Sequence, residues 1–212
     1  MVGGRCVIVS AAPQLSAAFL KSKLRKDDFV ICADGGADIL LECAIVPDLI
    51  IGDFDSSKNY RQFADTDIIT LPVSKDDTDT MYCVKHALQM GFSDFILLGA
   101  TGGRLDHTLA NLSVLLFLRS KSASGIVSDE YNDISLLNEG ENVLRNLKGR
   151  TISVMPFACE SVCLSYSGML YPLEHSTITS VYPYSISNVA LSDAVTVTVH
   201  SGNALLILPA KE

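Results

Sequence analysis

Short apolar runs alternate with stretches of helical periodicity through the first part of the chain. The runs at 5–10 (RCVIVS), 29–33 (FVICA), 48–52 (DLIIG), 67–71 (DIITL) and 94–100 (DFILLGA) read as strands. Between them, residues 13–24, 35–44, 78–90 and 106–120 read as helices. Pro13 suits a first helical turn. Met81, Val84 and Leu88 share a face, and Gly91 supplies a stop. Near-continuous apolar strands between helices predict a parallel sheet covered on both faces. The pattern changes at SKSASG (120–125). Beyond it the runs ISLLN, RTISVMPF, SVCLSYSG, SVYPYSIS, AVTVTVHSG and ALLILPA are strand-like, and TVTVH alternates strictly. Turn residues such as NEGEN and HSGN punctuate them, a β-sandwich pattern. The expected fold is therefore an N-terminal Rossmann-like α/β domain with a parallel sheet, residues 1–122, followed by a C-terminal β-sandwich, residues 123–212. The boundary falls between about 121 and 135.

Composition narrows the function. Of 212 residues 48% are hydrophobic, and the net charge is −8. An acidic chain argues against a nucleic-acid partner, which selects a basic face. It leaves a nucleotide substrate open, because a metal ion can stand between carboxylate and phosphate. No apolar stretch is long enough for a membrane helix. The six cysteines show no CxxC pairing and mostly sit in apolar runs, so the chain reads as a reduced, cytoplasmic protein. Cys159 and Cys163 lie four apart without a second ligand pair nearby.

The unusual residues cluster where parallel strands end, which is where open sheets bind ligands. Asp34 follows the second strand; Asp53 and Asp55 follow the third. Lys75, Asp76, Asp77, Thr78 and Asp79 follow the fourth. Thr101, Gly102, Gly103, Arg104, Asp106 and His107 follow the fifth, in GATGGRLDH. Two like charges at about 4 Å repel by about 4 kcal/mol at an effective dielectric of 20. A carboxylate cluster therefore calls for a counter-charge, and Mg²⁺ prefers such hard oxygen donors together with substrate phosphates. The expected ligands are Asp53, Asp55 and Asp76. A glycine-rich turn leading into a helix offers free amides to an anion. Lys75 and Arg104 would neutralise remaining charge. A lone Asp34 or Asp79 reads first as a helix cap, and His107 either caps its helix or touches a ligand.

Taken in order, ADGGA, PDLIIGDFDS, KDDTDT and GATGGRLDHTLANL resemble the nucleotide-binding half of the thiamine pyrophosphokinases. SVMPF, LYPL and SISN resemble that family's sandwich half. The resemblance implies transfer of pyrophosphate from ATP to the hydroxyethyl group of thiamine, releasing AMP. It implies a homodimer with the active site at the subunit interface, and Mg²⁺ as the cofactor. Asp34, Asp53, Asp55 and Asp76 would be catalytic. Lys75, Thr78, Asp79, Thr101, Gly102, Gly103, Arg104, Asp106 and His107 would bind ATP. Ser187 and Asn188 would face thiamine. The chain departs from the family at Met81, Ser185 and Val189, where Glu, Gly and Glu are common, and it has no tryptophan. Tyr182 or Tyr184 would stack on the pyrimidine instead. Rival readings are a pyrophosphokinase acting on another alcohol such as a pterin, a DxD phosphohydrolase with Asp53 as nucleophile, and a nucleotide-binding regulator.

Overall fold

The computed structural model describes residues 3–55, 59–74 and 76–210. The chain divides into two compact units, Met1–Glu130 and Tyr131–Glu212. The first is α/β. Strands β1 (Cys6–Val9), β2 (Phe29–Ala33), β3 (Leu49–Gly52), β4 (Asp67–Thr70), β5 (Asp94–Leu98) and β6 (Ser124–Ser128) are all parallel to their neighbours, in the order β6-β5-β1-β2-β3-β4. The central strands are buried on both faces, which is why they read as unbroken apolar runs. Val7, Val9, Val30, Cys32 and Ile50 form one core with Leu20 of helix α1 (Ala17–Lys23) and Leu40 of α2 (Ala37–Glu42). The alternate residues, such as Ile8 and Ile31, are fully buried too, and helix α3 (Asp79–Met90) packs on strands β1 to β3. Helix α4 (Leu105–Ser120) packs on β6.

Three local expectations shift. Helix α1 starts after Ser16, whose side chain accepts from the Phe19 N–H at 3.3 Å, so Pro13 lies in the preceding loop and not in the first turn. Helix α3 has its predicted limits, capped by Thr78 and ended by Gly91 at φ 97°, but its buried face is Thr80, Cys83, Val84 and Ala87. Those smaller side chains sit against the sheet, and Met81 and Leu88 are only partly covered. Strand β6, which no apolar run announces, pairs in parallel with β5 and belongs to the first unit.

The second unit is a sandwich of two antiparallel sheets. One has the order β12-β9-β14-β7, the other β11-β10-β13-β8. These strands are β7 (Asn132–Leu136), β8 (Gly140–Arg145), β9 (Thr151–Pro156), β10 (Ser161–Ser167), β11 (Leu173–Thr179), β12 (Asn188–Val189), β13 (Ala194–Ser201) and β14 (Ala204–Pro209). Alternate residues of both sheets meet in one core: Val162, Leu164 and Tyr166 of β10, Val195, Val197 and Val199 of β13, Ile152 and Val154 of β9. Burying each such side chain contributes about 1.5–3 kcal/mol. The run SVYPYSIS is not a strand. Pro183 has no N–H to give a ladder, and the two residues before it, Val181 and Tyr182, stand 92% and 73% exposed.

At the amino end of the first sheet, the Arg5 guanidinium grips Asp28 with two bonds of 2.9 and 2.7 Å and the Lys23 carbonyl at 2.7 Å. This clamps the approaches to β1 and β2. Burial alone would push the Asp28 carboxyl up, but Arg5 and the Arg25 N–H outweigh it and hold the group below its ordinary range. A depressed carboxylate stabilises the fold at neutral pH, and that contribution is lost as pH falls below about 4. The wild-type urea midpoint is therefore expected to drop between pH 7 and pH 3. Asp28→Asn should lower the midpoint at pH 7 and flatten the drop; a variant with the wild-type pH slope contradicts this assignment.

Candidate active site

The order of the first sheet reverses beside β1: the chain runs outward from β1 through β2, β3 and β4, then returns to place β5 and β6 on the other side. The carboxyl ends of β1 and β5 therefore diverge and open a crevice. A cleft of about 330 Å³ lies there. Ser10 to Pro13 after β1 form one wall, and Ala33 and Asp34 after β2 another. Thr78, Asp79 and Thr80 bring the first turn of α3, and Gly99, Ala100, Gly102, Arg104, His107 and Asn111 bring the start of α4. Two helix N-termini thus reach one cleft, a setting that favours an anion.

The wall between β1 and β5 depends on one glycine. Gly99 adopts φ 63°, and a Cβ there would meet the Ser10 carbonyl oxygen at 2.2 Å. Beyond it the loop is tied at three points. Asn111 donates to the Ala100 carbonyl at 2.7 Å, the Thr101 hydroxyl donates to Asp129 at 2.6 Å, and the Gly102 N–H donates to the Thr108 hydroxyl at 3.2 Å. On the opposite wall the hydroxyls of Ser10 and Thr80 share a buried bond of 2.9 Å, which locks α3 to the end of β1.

Beside the cleft, Asp34, Asp53 and Asp55 bring ligand oxygens within 4.8 Å of one another. Among the described residues this is the one group of three or more potential ligands so gathered. Adjacent parallel strands β2 and β3 deliver the side chains, and Gly52 allows their approach. A Cβ at Gly52 would stand 2.8 Å from the Asp34 Cα and 2.9 Å from its Cβ. Asp34 Oδ1 accepts from the Phe54 N–H at 3.0 Å, and Asp53 Oδ1 accepts from the Asp55 N–H at 3.3 Å. Phe54 and Asp34 hold left-handed backbones, φ 59° and 41°. Phe54 stays there because its ring is buried and stacked on Tyr60, centroids 3.9 Å apart. Asp55 is the most exposed of the three. The Cys32 thiol donates to the Asp34 carbonyl at 3.7 Å. Burial, with help from Asp34 and Asp38, pushes this thiol up to about 12.

The donor set suits Mg²⁺. All the side-chain donors are hard carboxylate oxygens, and an octahedral ion with bonds of about 2.1 Å spans roughly 4.2 Å between opposite ligands. The other expected residues divide. Asp76, read from the sequence as the third ligand, is exposed in the long loop after the outermost strand β4 and is not part of the group; Asp34 is. Asp77 is taken by Lys85 at 2.6 Å. Lys75 lies outside the described residues. Thr78 caps α3 and lines the cleft, as does Asp79 in the first turn. Gly102, Arg104 and His107 line the cleft, whereas Thr101, Gly103 and Asp106 do not. The exposed Arg104 forks onto Asp106 with bonds of 3.1 and 2.6 Å, and this pair holds the Asp106 carboxyl at about 2. The sequence reading missed Ser10, Thr80 and Asn111; the strand-end rule applied to β1 reaches the first of them.

In the second unit, Asn188 and Tyr184 line a pocket of about 280 Å³ with Tyr166, Tyr171, Leu173, Ser185 and Ile186. Asn188 is pinned there: it donates to the Tyr171 carbonyl at 2.7 Å and accepts from the Tyr171 N–H at 3.0 Å. Ser185, where the family commonly has glycine, donates to the Val154 carbonyl. Burial pushes the Tyr166 hydroxyl up. Tyr171 joins Tyr184 as an exposed ring on this pocket, while Tyr182 does not line it. Ser187 lies on a different pocket from its neighbour.

Comparison with known proteins matches two family models in succession. "Thiamin pyrophosphokinase, catalytic domain" covers residues 20–127, and "Thiamin pyrophosphokinase, vitamin B1 binding domain" covers 138–204. The chain is 30% identical to the thiamine pyrophosphokinase of Bacillus subtilis over 182 residues, 84% of this chain and 85% of that one. The crystal structure of a B. subtilis thiamine pyrophosphokinase superposes with a TM-score of 0.88 at 27% identity, covering 98% of this chain and all of that one. The Geobacillus thermodenitrificans structure gives 0.86 at 27%, covering 98% of each.

Gly52→Ala is expected to push Asp34 out of the group and weaken Mn²⁺ binding about tenfold or more, read by paramagnetic resonance titration with circular dichroism unchanged. Wild-type Mn²⁺ affinity in that variant removes Asp34 from the ligand set.

Proposed function

The chain belongs to the thiamin pyrophosphokinase family, and we propose on that premise that it is an ATP:thiamine diphosphotransferase, joining the pyrophosphate of ATP to the hydroxyethyl oxygen of thiamine and releasing AMP. The observation that carries this reading is the Asp34–Asp53–Asp55 group beside a cleft walled by two helix N-termini. Transfer of this kind needs alignment and charge neutralisation more than a protein nucleophile. Asp34, Asp53 and Asp55 would hold Mg²⁺, which when bound neutralises phosphate charge and orients the polyphosphate. The amides opening α3 and α4 receive phosphate oxygens. Arg104 adds a cation at the mouth, sharing its fork with Asp106. Asp34 or Asp55 would take the acceptor's proton, and Asp55 is the more exposed of the two. The thiazolium cation of thiamine is favoured by an acidic protein of net charge −8. The tyrosine-lined pocket with Asn188 offers the aromatic faces on which a pyrimidine stacks.

Asp53→Asn is expected to leave the fold intact and lower AMP and thiamine diphosphate formation by about three orders of magnitude or more, measured by mass spectrometry with ATP, Mg²⁺ and thiamine. Near-normal turnover in that variant would falsify the assignment. The same assay with pterin alcohols in place of thiamine tests the acceptor.

We also propose that the chain works as a homodimer in the cytoplasm. Val181, Tyr182, Tyr171 and Ile186 stand exposed on the second unit, apolar surface that a second subunit would cover. Sedimentation equilibrium should give twice the chain mass of 22.8 kDa; the chain mass itself at working concentration removes the dimer.

A further inference from the structure

We infer that the second unit carries a separate binding pocket for a phosphate-type oxyanion, built by Lys148, Arg150, Thr151 and Ser187. The pocket is about 590 Å³, and Pro209 and Ala210 also line it. Its charge is opposite to that of its surroundings. Among the described residues of this unit the only Lys and Arg side chains are Arg145, Lys148 and Arg150, and two of the three line this one pocket. Asp133, Glu139, Glu141, Glu160, Glu174 and Asp193 carry the opposite charge, and none of them lines it.

Arg150 is the central group. A guanidinium has five N–H donors and normally finds a carboxylate. Here one nitrogen donates to the Pro209 carbonyl at 2.6 Å, and the buried Nε–H has no hydrogen-bond partner among the described residues. Neither Arg150 nor Lys148 has an ion-pair partner among those residues. A buried unsatisfied donor in a native fold calls for a ligand or an ordered water. The intervening Gly149 leaves open space where a side chain would stand. Ser187 holds a left-handed backbone, φ 57°, fixed by its N–H donating to the Ser153 hydroxyl at 2.9 Å. The hydroxyls of Thr151 and Ser187 make no hydrogen bond to other described residues, so both can donate to a ligand. Two cations and two hydroxyls around a roomy cavity match an oxyanion with several acceptor oxygens and more than one charge. Ser187 and Asn188, adjacent in sequence, thereby serve two pockets of different character.

The probe is inorganic pyrophosphate, titrated calorimetrically into the full chain without Mg²⁺ and with a chelator present. Because Mg²⁺ is withheld and the Asp53→Asn background takes one of the three clustered carboxylates from the first unit, failure of the transferase reading leaves this measurement intact. Saturable binding is expected, weakened about tenfold or more by Arg150→Gln and about threefold or more by Lys148→Gln. Lys148 is exposed, so its variant should keep the wild-type melting temperature. No saturable binding, or affinity unchanged in Lys148→Gln, overturns the proposal whatever becomes of the Arg150 variant. Thiamine diphosphate and thiamine distinguish the source of the anion. Thiamine diphosphate weakened by Arg150→Gln alongside unchanged thiamine assigns the pocket to a diphosphate carried on an organic ligand. Weakening confined to pyrophosphate assigns it to the free ion.

Discussion

The first unit is organised around holding like charges together. Asp34, Asp53 and Asp55 stand close enough to repel strongly, and nothing about a carboxylate makes that arrangement spontaneous. It exists because β2 and β3 are neighbours in a parallel sheet and end side by side. Gly52 leaves room for Asp34 to lean across, and the Phe54 N–H meets its oxygen. The left-handed backbones at Asp34 and Phe54 store strain of about 1–3 kcal/mol each. That strain is held by the buried Phe54 ring against Tyr60 and by the apolar core beneath. The stabilising contacts lie in the strands and at the Arg5–Asp28 clamp at their amino ends, and the strained, repulsive ones lie at the carboxyl ends. Stability and chemistry are separated along the length of the same strands.

The second unit solves a different problem. Its sandwich core is made by strict alternation, so every second residue is free to carry polar groups outward. Binding features then depend on loops that leave the ladder. Ser185, Ser153 and Asn188 tie the segment between β11 and β12 to β9 and to Tyr171. These bonds keep an exposed, proline-containing segment in one conformation, and that is what gives its aromatic rings a defined pocket.

Much of this was legible in the sequence, and the failures share a cause. Buried strands β1, β2, β3 and β5 and the first half of β14 announce themselves because each must be apolar to sit where it does, and β13 announces itself by alternation. Strands β8 and β11, the outer pair of their sheet, have few fully buried side chains between them, chiefly Ile178, so hydrophobic patterning does not mark them. The SVYPYSIS run shows the converse: apolar residues in alternation that point to solvent. For the site, motif spacing located all three clustered aspartates, but it paired Asp53 and Asp55 with Asp76 in place of Asp34. The dense carboxylates of KDDTDT, to which it belongs, favour Asp76. Strand adjacency, which the sequence does not state, favours Asp34. Thr80 was invisible for a similar reason, since it bonds to Ser10 at the end of a strand far away along the chain, and Asn111 because nothing in the sequence states that its amide turns back onto the loop after β5.

Cys32 is fully buried at the end of β2, and its thiol donates to the Asp34 carbonyl. The group gathered beside it offers carboxylate oxygens alone. Magnesium suits that donor set, whereas a thiophilic ion such as cadmium meets none of the sulfur ligands it prefers there.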